Sequence, residues 1–162
     1  MKQALIITGT PGTGKTTLAN KLSLLFKKEV INISEYAKKH DLLEKYDPKS
    51  DTYDLSEKKL VKKLVKDIQN NEDLLIIEGH MSHFLPKNTV KLCIVCKTEL
   101  KELRKRLDKR KYSEKKIKEN LECEIFDICL NEALEQGHEV KMIDSKKLKK
   151  TDLTFIKNKI SL

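Results

Sequence analysis

The sequence predicts an α/β fold in which a five-stranded parallel sheet is covered by helices on both faces. Two observations carry this. Short, uninterrupted apolar runs alternate along the chain with stretches whose apolar residues recur every three or four positions. No repeat and no Ser/Gly/Pro-rich linker breaks that alternation in 162 residues, so one domain is expected over 1–162. A chain of this length buries roughly 68–70% of its unfolded surface, enough for a core without staples.

The elements follow in order. Ala4-Leu5-Ile6-Ile7 reads as a buried first strand, and Leu18, Leu22 and Leu25 place a helix over 15–26. Val30-Ile31-Asn32-Ile33 is a second strand. Leu60, Val61, Leu64, Val65 and Ile68 form one stripe of a helix with Ser56 at its N-cap. Leu74-Leu75-Ile76-Ile77 is a third strand and Leu92 to Cys96 a fourth. Thr98 is expected to start a helix carrying Leu100, Leu103 and Leu107. Ser113 is expected to cap one long helix, from Ile117 through Leu121, Ile125 and Ile128 to Leu134, stopping at Gly137. Val140 to Ile143 is a short fifth strand. Leu153, Ile156 and Ile160 mark a final helix, with Phe155 beside the stripe. Ligands of such sheets bind beyond the carboxyl ends of the strands, so chemistry is expected after Ile7, Ile33, Ile77 and Cys96.

Composition narrows the classes. There are 34 Lys+Arg against 25 Asp+Glu, a formal net charge of +9, and 36% of residues are charged. No apolar run approaches the ~18–20 residues of a membrane-spanning helix, so no membrane association is expected. The opening MKQALIITGTPGTGK has no small-residue cleavage site, so no secretory signal is expected. The four cysteines, two of them in an apolar run, do not form a disulfide framework, and the expected compartment is the reducing cytoplasm. Cys93 and Cys96 form C-x-x-C, but odd spacing in a strand sends side chains to opposite faces. Packing is the expected role for them, and for Cys123 and Cys129 on a helix.

Gly9-Thr10-Pro11-Gly12-Thr13-Gly14-Lys15-Thr16 fits G-x-x-x-x-G-K-[ST] in full, after a predicted strand and opening a predicted helix. This is a P-loop, and the fold expected around it is that of the P-loop NTPases. The residue types follow from what a polyphosphate requires. Glycines bring backbone N–H groups close to the anion, and the helix that opens at Gly14 adds the positive end of its dipole. Lys15 places a charge on the β- and γ-phosphates, and the Thr16 hydroxyl can ligate Mg²⁺. A GTPase would carry Asn-Lys-x-Asp late in the chain; Asn88-Thr89 and Asn131-Glu132 do not supply it. A small kinase is the best fit.

Thr8 to Thr17 resembles the P-loop of adenylate-kinase-type nucleoside monophosphate kinases. Tyr112-Ser113-Glu114-Lys115-Lys116-Ile117, Asn120 and Glu122-Cys123-Glu124-Ile125-Phe126 resemble a more specific segment, found in the adenylate kinase isoenzyme six (Fap-seven) family. Glu78-Gly79-His80, Phe84-Leu85-Pro86 and Tyr46-Asp47 resemble that family too, and the likeness runs from about Lys2 to Ile143. It implies an enzyme that moves phosphate between ATP and AMP, with broad monophosphate tolerance in some members and slow ATP hydrolysis. It also implies work in late maturation of the small ribosomal subunit, through a platform ribosomal protein (number eleven in the universal scheme). Two further readings stay open: an ATPase assembly factor whose kinase activity is secondary, and a kinase for another small acceptor.

The resemblance assigns ATP to Gly12, Thr13, Gly14, Lys15, Thr16 and Thr17, an NMP-binding insert to 34–57, and a lid to 109–119. Arg110 falls on the lid arginine that touches ATP and Arg106 on its upstream companion; four apart, they share a helix face. Lys15, Arg110 and His80 are the expected catalytic residues. Thr16 and Glu78 are the expected Mg²⁺ site, with Glu standing where the family usually has Asp. His80 either positions the attacking group or anchors its loop. Lys111 stands where the family tends to have Gly, and Lys38 where its short helix often carries Arg. No Arg precedes Arg104, so weak or unselective AMP binding is expected. From Lys97 to Lys118 there are 11 Lys/Arg and four acids, mostly a solvated face. That surface suits work near rRNA, though no aromatic-interleaved RNA-binding motif accompanies it.

Overall fold

β1 (Ala4–Thr8) is buried at every residue, which is why its sequence is apolar without alternation. The structure is a computed structural model that describes residues 1–49 and 52–161. After β1 the chain forms α1 (Lys15–Phe26), β2 (Val30–Asn32), α2 (Ile33–Lys39), β3 (Leu43–Asp47), β4 (Thr52–Leu55), α3 (Glu57–Asn70) and β5 (Ile76–Glu78). Two 3₁₀ turns lead to β6 (Val90–Lys97), α4 (Leu100–Lys109), α5 (Glu114–Ile125), α6 (Ile128–Glu135), β7 (Val140–Asp144) and α7 (Lys150–Ile160).

Five strands make one parallel sheet in the order β2-β5-β1-β6-β7, as expected. β1 is central, so its carboxyl end opens between β5 and β6. Register sets Ile7 beside Glu78, and Glu78 beside Asn32, bringing three strand ends together. One face of the sheet is packed by Leu60, Leu64 and Ile68 of α3 with Tyr36 and Ala133. The other is packed by Leu18, Ala19 and Leu22 of α1 with Ile156 of α7. Cys93 belongs to the first cluster and Cys96 to the second, the opposite-face placement their spacing requires. Leu103, Leu107 and Ile117 form a small third cluster between α4 and α5.

Ser56 and Ser113 cap α3 and α5, accepting from the N–H of Lys59 at 3.4 Å and of Lys116 at 3.2 Å. Three expectations are corrected. Ile33 does not end β2 but opens α2, because the Asn32 side chain accepts from the Glu35 N–H at 2.9 Å and caps a helix there. Thr98 does not start α4: the N-cap is Glu99, without a side-chain cap. The long helix from Ser113 is two helices, broken at Asp127, whose φ is 50°. Lys97 holds the break, with its Nζ 2.5 Å from Glu124 Oε1 and 2.6 Å from Asp127 Oδ1. In addition, the polar stretch after α2 contains two antiparallel strands, β3 and β4, in which Tyr46 pairs with Tyr53.

Candidate active site

The loop between β1 and α1 wraps an open anion cradle. Gly14 is the N-cap of α1 with φ 92° and no side chain to bond the first helical amides, which are left for a ligand. A Cβ at Gly14 would run into the Ser145 side chain, and Ser145 Oγ donates to Thr13 O at 3.1 Å. The turn after β7 is thus seated directly on the loop. A Cβ at Gly12 would stand 3.0 Å from Leu103 Cδ1, so α4 seats on it from another side. Lys15 folds back over the cradle, donating from Nζ to Gly9 O at 2.8 Å and to Thr10 O at 3.1 Å. Burial pushes its ammonium below the ordinary lysine value; the nearby Glu78 opposes this and Arg110 adds to it.

Thr16 Oγ1 donates to Glu78 Oε1 at 2.9 Å, and the Asn32 amide donates to the same oxygen. Glu78 is only 2% exposed, so a carboxylate is held beside a hydroxyl at the foot of the cradle. That pair fits Mg²⁺, a hard cation that keeps waters and takes phosphate oxygens, and so needs only one or two protein ligands. Among the described residues no cluster of three or more His, Cys, Asp or Glu is placed to hold a metal alone.

Gly12, Gly14, Lys15, Thr16 and Thr17 line one cavity of about 330 Å³ together with Glu78, His80 and Arg110. Ser34 and Asn32 line it from the side of α2, and Tyr112 from the α4–α5 turn. Thr13 and Arg106 stand behind it. The Thr13 hydroxyl donates to Thr10 O at 2.7 Å. Arg106 donates from Nη1 to Gly12 O at 2.9 Å and from Nε to Glu102 at 3.0 Å. His80 shows an open face to the cavity, with Nδ1 3.8 Å from Cys129 Sγ; crowding by its surroundings, then Lys15, pushes its imidazole below the ordinary value. A larger open cavity of about 730 Å³ flanks β2, lined by Tyr36, His40 and Asp67, whose carboxylate takes the Tyr36 hydroxyl; it does not reach the P-loop.

Sequence reasoning missed three contributors. Asn32 was legible only by its place at the carboxyl end of β2. Ser145 has no sequence signal. Nor does the buried chain in which His83 Nδ1 meets Thr8 Oγ1 at 2.6 Å and His83 Nε2 meets Glu132 at 2.8 Å, while His138 Nε2 donates to His83 O at 2.8 Å. That chain fixes the last residue of β1 before the loop begins.

Comparison with known proteins agrees with this geometry. Solved structures with the same fold include deoxyadenosine kinase from M. mycoides (TM-score 0.56, 15% identity, 99% of this chain and 100% of the other). Another is shikimate kinase from Acinetobacter baumannii (TM-score 0.62, 15% identity, 99% and 94%). The family described as AAA domain matches residues 5–127. Fold and loop together define a protein of the P-loop kinase fold. The chain is 37% identical over 136 residues to a putative adenylate kinase of Methanocaldococcus jannaschii, covering 84% of this chain and 75% of that one. It is 39% identical over 131 residues (81% and 74%) to the adenylate kinase isoenzyme 6 homolog of Schizosaccharomyces pombe. The likeness to the Candida albicans homolog, 37% over 139 residues, spans 80% of this chain but 55% of that protein. The chain belongs to the adenylate kinase isoenzyme 6 family.

Proposed function

We propose that this protein transfers a phosphoryl group from ATP to AMP, giving two ADP, accepts other nucleoside monophosphates with little selectivity, and hydrolyses ATP slowly without an acceptor. One observation carries the reading: the amides of α1, Lys15, the Thr16–Glu78 pair, His80 and Arg110 all face a single cavity at the carboxyl ends of the strands. Lys15 leaves the carbonyls of Gly9 and Thr10 to meet the β- and γ-phosphates. Mg²⁺ arriving with ATP would be held by Thr16 and Glu78 and supply positive charge to the phosphate oxygens. Arg110 is exposed at the cavity rim, in the turn of a lid at 109–119. Closing that turn brings its guanidinium over the transferring group and excludes water. His80, kept neutral, positions the attacking oxygen.

Residues 34–57 form the monophosphate side in this reading. Ser34 and Asn32 reach the cavity, whereas Lys38 is exposed and does not line it. No arginine lies there to grip a phosphate bidentately, so AMP binds weakly and other monophosphates compete. The lysines at 101, 105, 109, 111, 115 and 118 are exposed, an open basic face. Together with the family resemblance, this supports a second role in the cytoplasm. There ATP turnover would act in late small-subunit maturation near rRNA, on the platform ribosomal protein named above.

ADP formation from ATP plus AMP, measured beside phosphate release from ATP alone, tests the reading. Faster ADP formation is expected. Phosphate release unaffected by AMP would favour the ATPase assembly factor, and transfer only to a non-nucleotide acceptor would overturn both. Lys15→Ala should abolish every turnover with an unchanged circular dichroism spectrum; wild-type activity in that variant contradicts the P-loop assignment. A pull-down of the platform protein, with and without nucleotide, tests the second role.

A further inference from the structure

Two cysteines form a site that phosphoryl transfer leaves unused. Cys123 lies in the last turn of α5 and Cys129 in the first turn of α6. On a straight helix, positions six apart point about 120° away from each other. The left-handed residue Asp127 folds the chain between them, so both line one small space behind Gly9 and Thr10 of the P-loop. There Cys123 and Cys129 share one lining with Thr10. The fold is held from outside by Lys97, on Glu124 and Asp127. Cys123 is half-buried and open to small reagents, while Cys129, Cys93 and Cys96 are buried.

The chemistry of the four thiols differs accordingly. The Cys129 thiol, then Thr10, donates to a thiolate at Cys123 and draws its pKa down. The same contact, with burial, pushes Cys129 up. Cys93 and Cys96 are pushed up to about 12 by burial and are inert. The result is one half-buried nucleophilic thiol with a second, buried thiol lining the same space.

We propose that Cys123 and Cys129 are a hydroperoxide-reactive pair that closes to an intramolecular disulfide behind the P-loop and weakens ATP binding. The Cys123 thiolate attacks a peroxide oxygen: an S–O bond forms, the O–O bond breaks, and hydroxide leaves. The Cys129 sulfur then attacks the sulfenic sulfur, giving up its proton; an S–S bond forms, the S–O bond breaks, and water leaves. Two thiols are oxidised by two electrons and one hydroperoxide is reduced. The bond forms in a space that Gly9 and Thr10 also line, and the carbonyls of both hold Lys15, so the effect reaches the cradle. In a reducing compartment such a bond is transient.

The full-length chain, reduced and then treated with hydrogen peroxide, tests this by non-reduced peptide mass mapping. The expected result is a loss of about 2 Da confined to the Cys123–Cys129 pair, with two of the four thiols no longer titrating in denaturant. ATP affinity by calorimetry should fall several-fold, and dithiothreitol should restore it. Cys129→Ser should instead accumulate a dimedone-trappable sulfenic acid at Cys123. Four thiols still titrating, a bridge that involves Cys93 or a second copy, no adduct at Cys123 in the serine variant, or an ATP affinity indifferent to oxidation would each overturn the proposal.

Discussion

Lys111 has φ 56° in the turn between α4 and α5, a conformation in which an L side chain crowds its own carbonyl. The family that the sequence resembles tends to have glycine here, and the backbone at Lys111 takes the glycine-like form. Lys111→Gly should therefore stabilise the fold by roughly 1 kcal/mol, read as a higher urea midpoint with an unchanged slope. A lower midpoint would mean that the lysine side chain makes a contact worth more than the strain. His83 gives a pH prediction. It is fully buried, and burial first, then His80, His138 and Lys15, push it down to about 4. Its neighbour Glu132 is itself pushed up, by burial and by Glu135 and Glu57, so acid neutralises that carboxylate early and it gives little support to a charged ring. The unfolded chain binds a proton near 6.5 and the folded chain does not until about 4. Stability is thus complete above 6.5 and lost as pH falls toward 4. Between pH 7 and pH 5 the loss from this residue should be about 2 kcal/mol, and His83→Gln should flatten the curve. An equally steep curve in that variant would assign the loss to other groups.

The P-loop is an element whose sequence states its chemistry but not its supports. Its glycines and Lys15 were legible because an anion imposes them locally. The contacts of Ser145 and Leu103 were not, nor was it legible that Arg106, expected on ATP, bonds the Gly12 carbonyl, since all three meet the loop from far along the chain. Arg106 tests the difference between support and catalysis. It bonds the carbonyl of Gly12 and stands outside the cavity. Arg106→Ala leaves that carbonyl without its partner, at about 1–3 kcal/mol, and should raise the KM for ATP roughly tenfold with kcat little changed. A large fall in kcat at constant KM would instead place its guanidinium on the transferring phosphoryl group. The break between α5 and α6 was illegible for a related reason. The apolar period runs through it, because Ile125 and Ile128 are hydrophobic yet 53% and 38% exposed. The break sits at Asp127 itself, whose left-handed backbone no apolar period announces, and the side chain that holds it, Lys97, lies far off at the end of β6. The β3–β4 pair was missed because its strands are short and largely exposed, so no buried run announces them.

At the scale of the molecule, the sheet was read correctly because its inner strands β1, β5 and β6, buried on both faces, must be almost continuously apolar, whatever surrounds them. The surface is another matter, since charge composition fixes no geometry. Ion pairs such as Lys28–Asp73 at 2.5 Å and Lys159–Glu139 at 2.6 Å involve partly exposed groups, and such pairs add about 0–1 kcal/mol each. A net charge of +9 on 162 residues repels itself over a longer range. Screening should relieve the repulsion more than it weakens the pairs, so the melting temperature is expected to rise between 20 mM and 200 mM NaCl, by about a few degrees. A fall would show that the pairs dominate.

The ammonium of Lys15 rests on the carbonyls of Gly9 and Thr10. That arm ties the two ends of the turn together from within and so braces its shape. An incoming triphosphate has only to evict one flexible arm; it need not remould the main chain around itself.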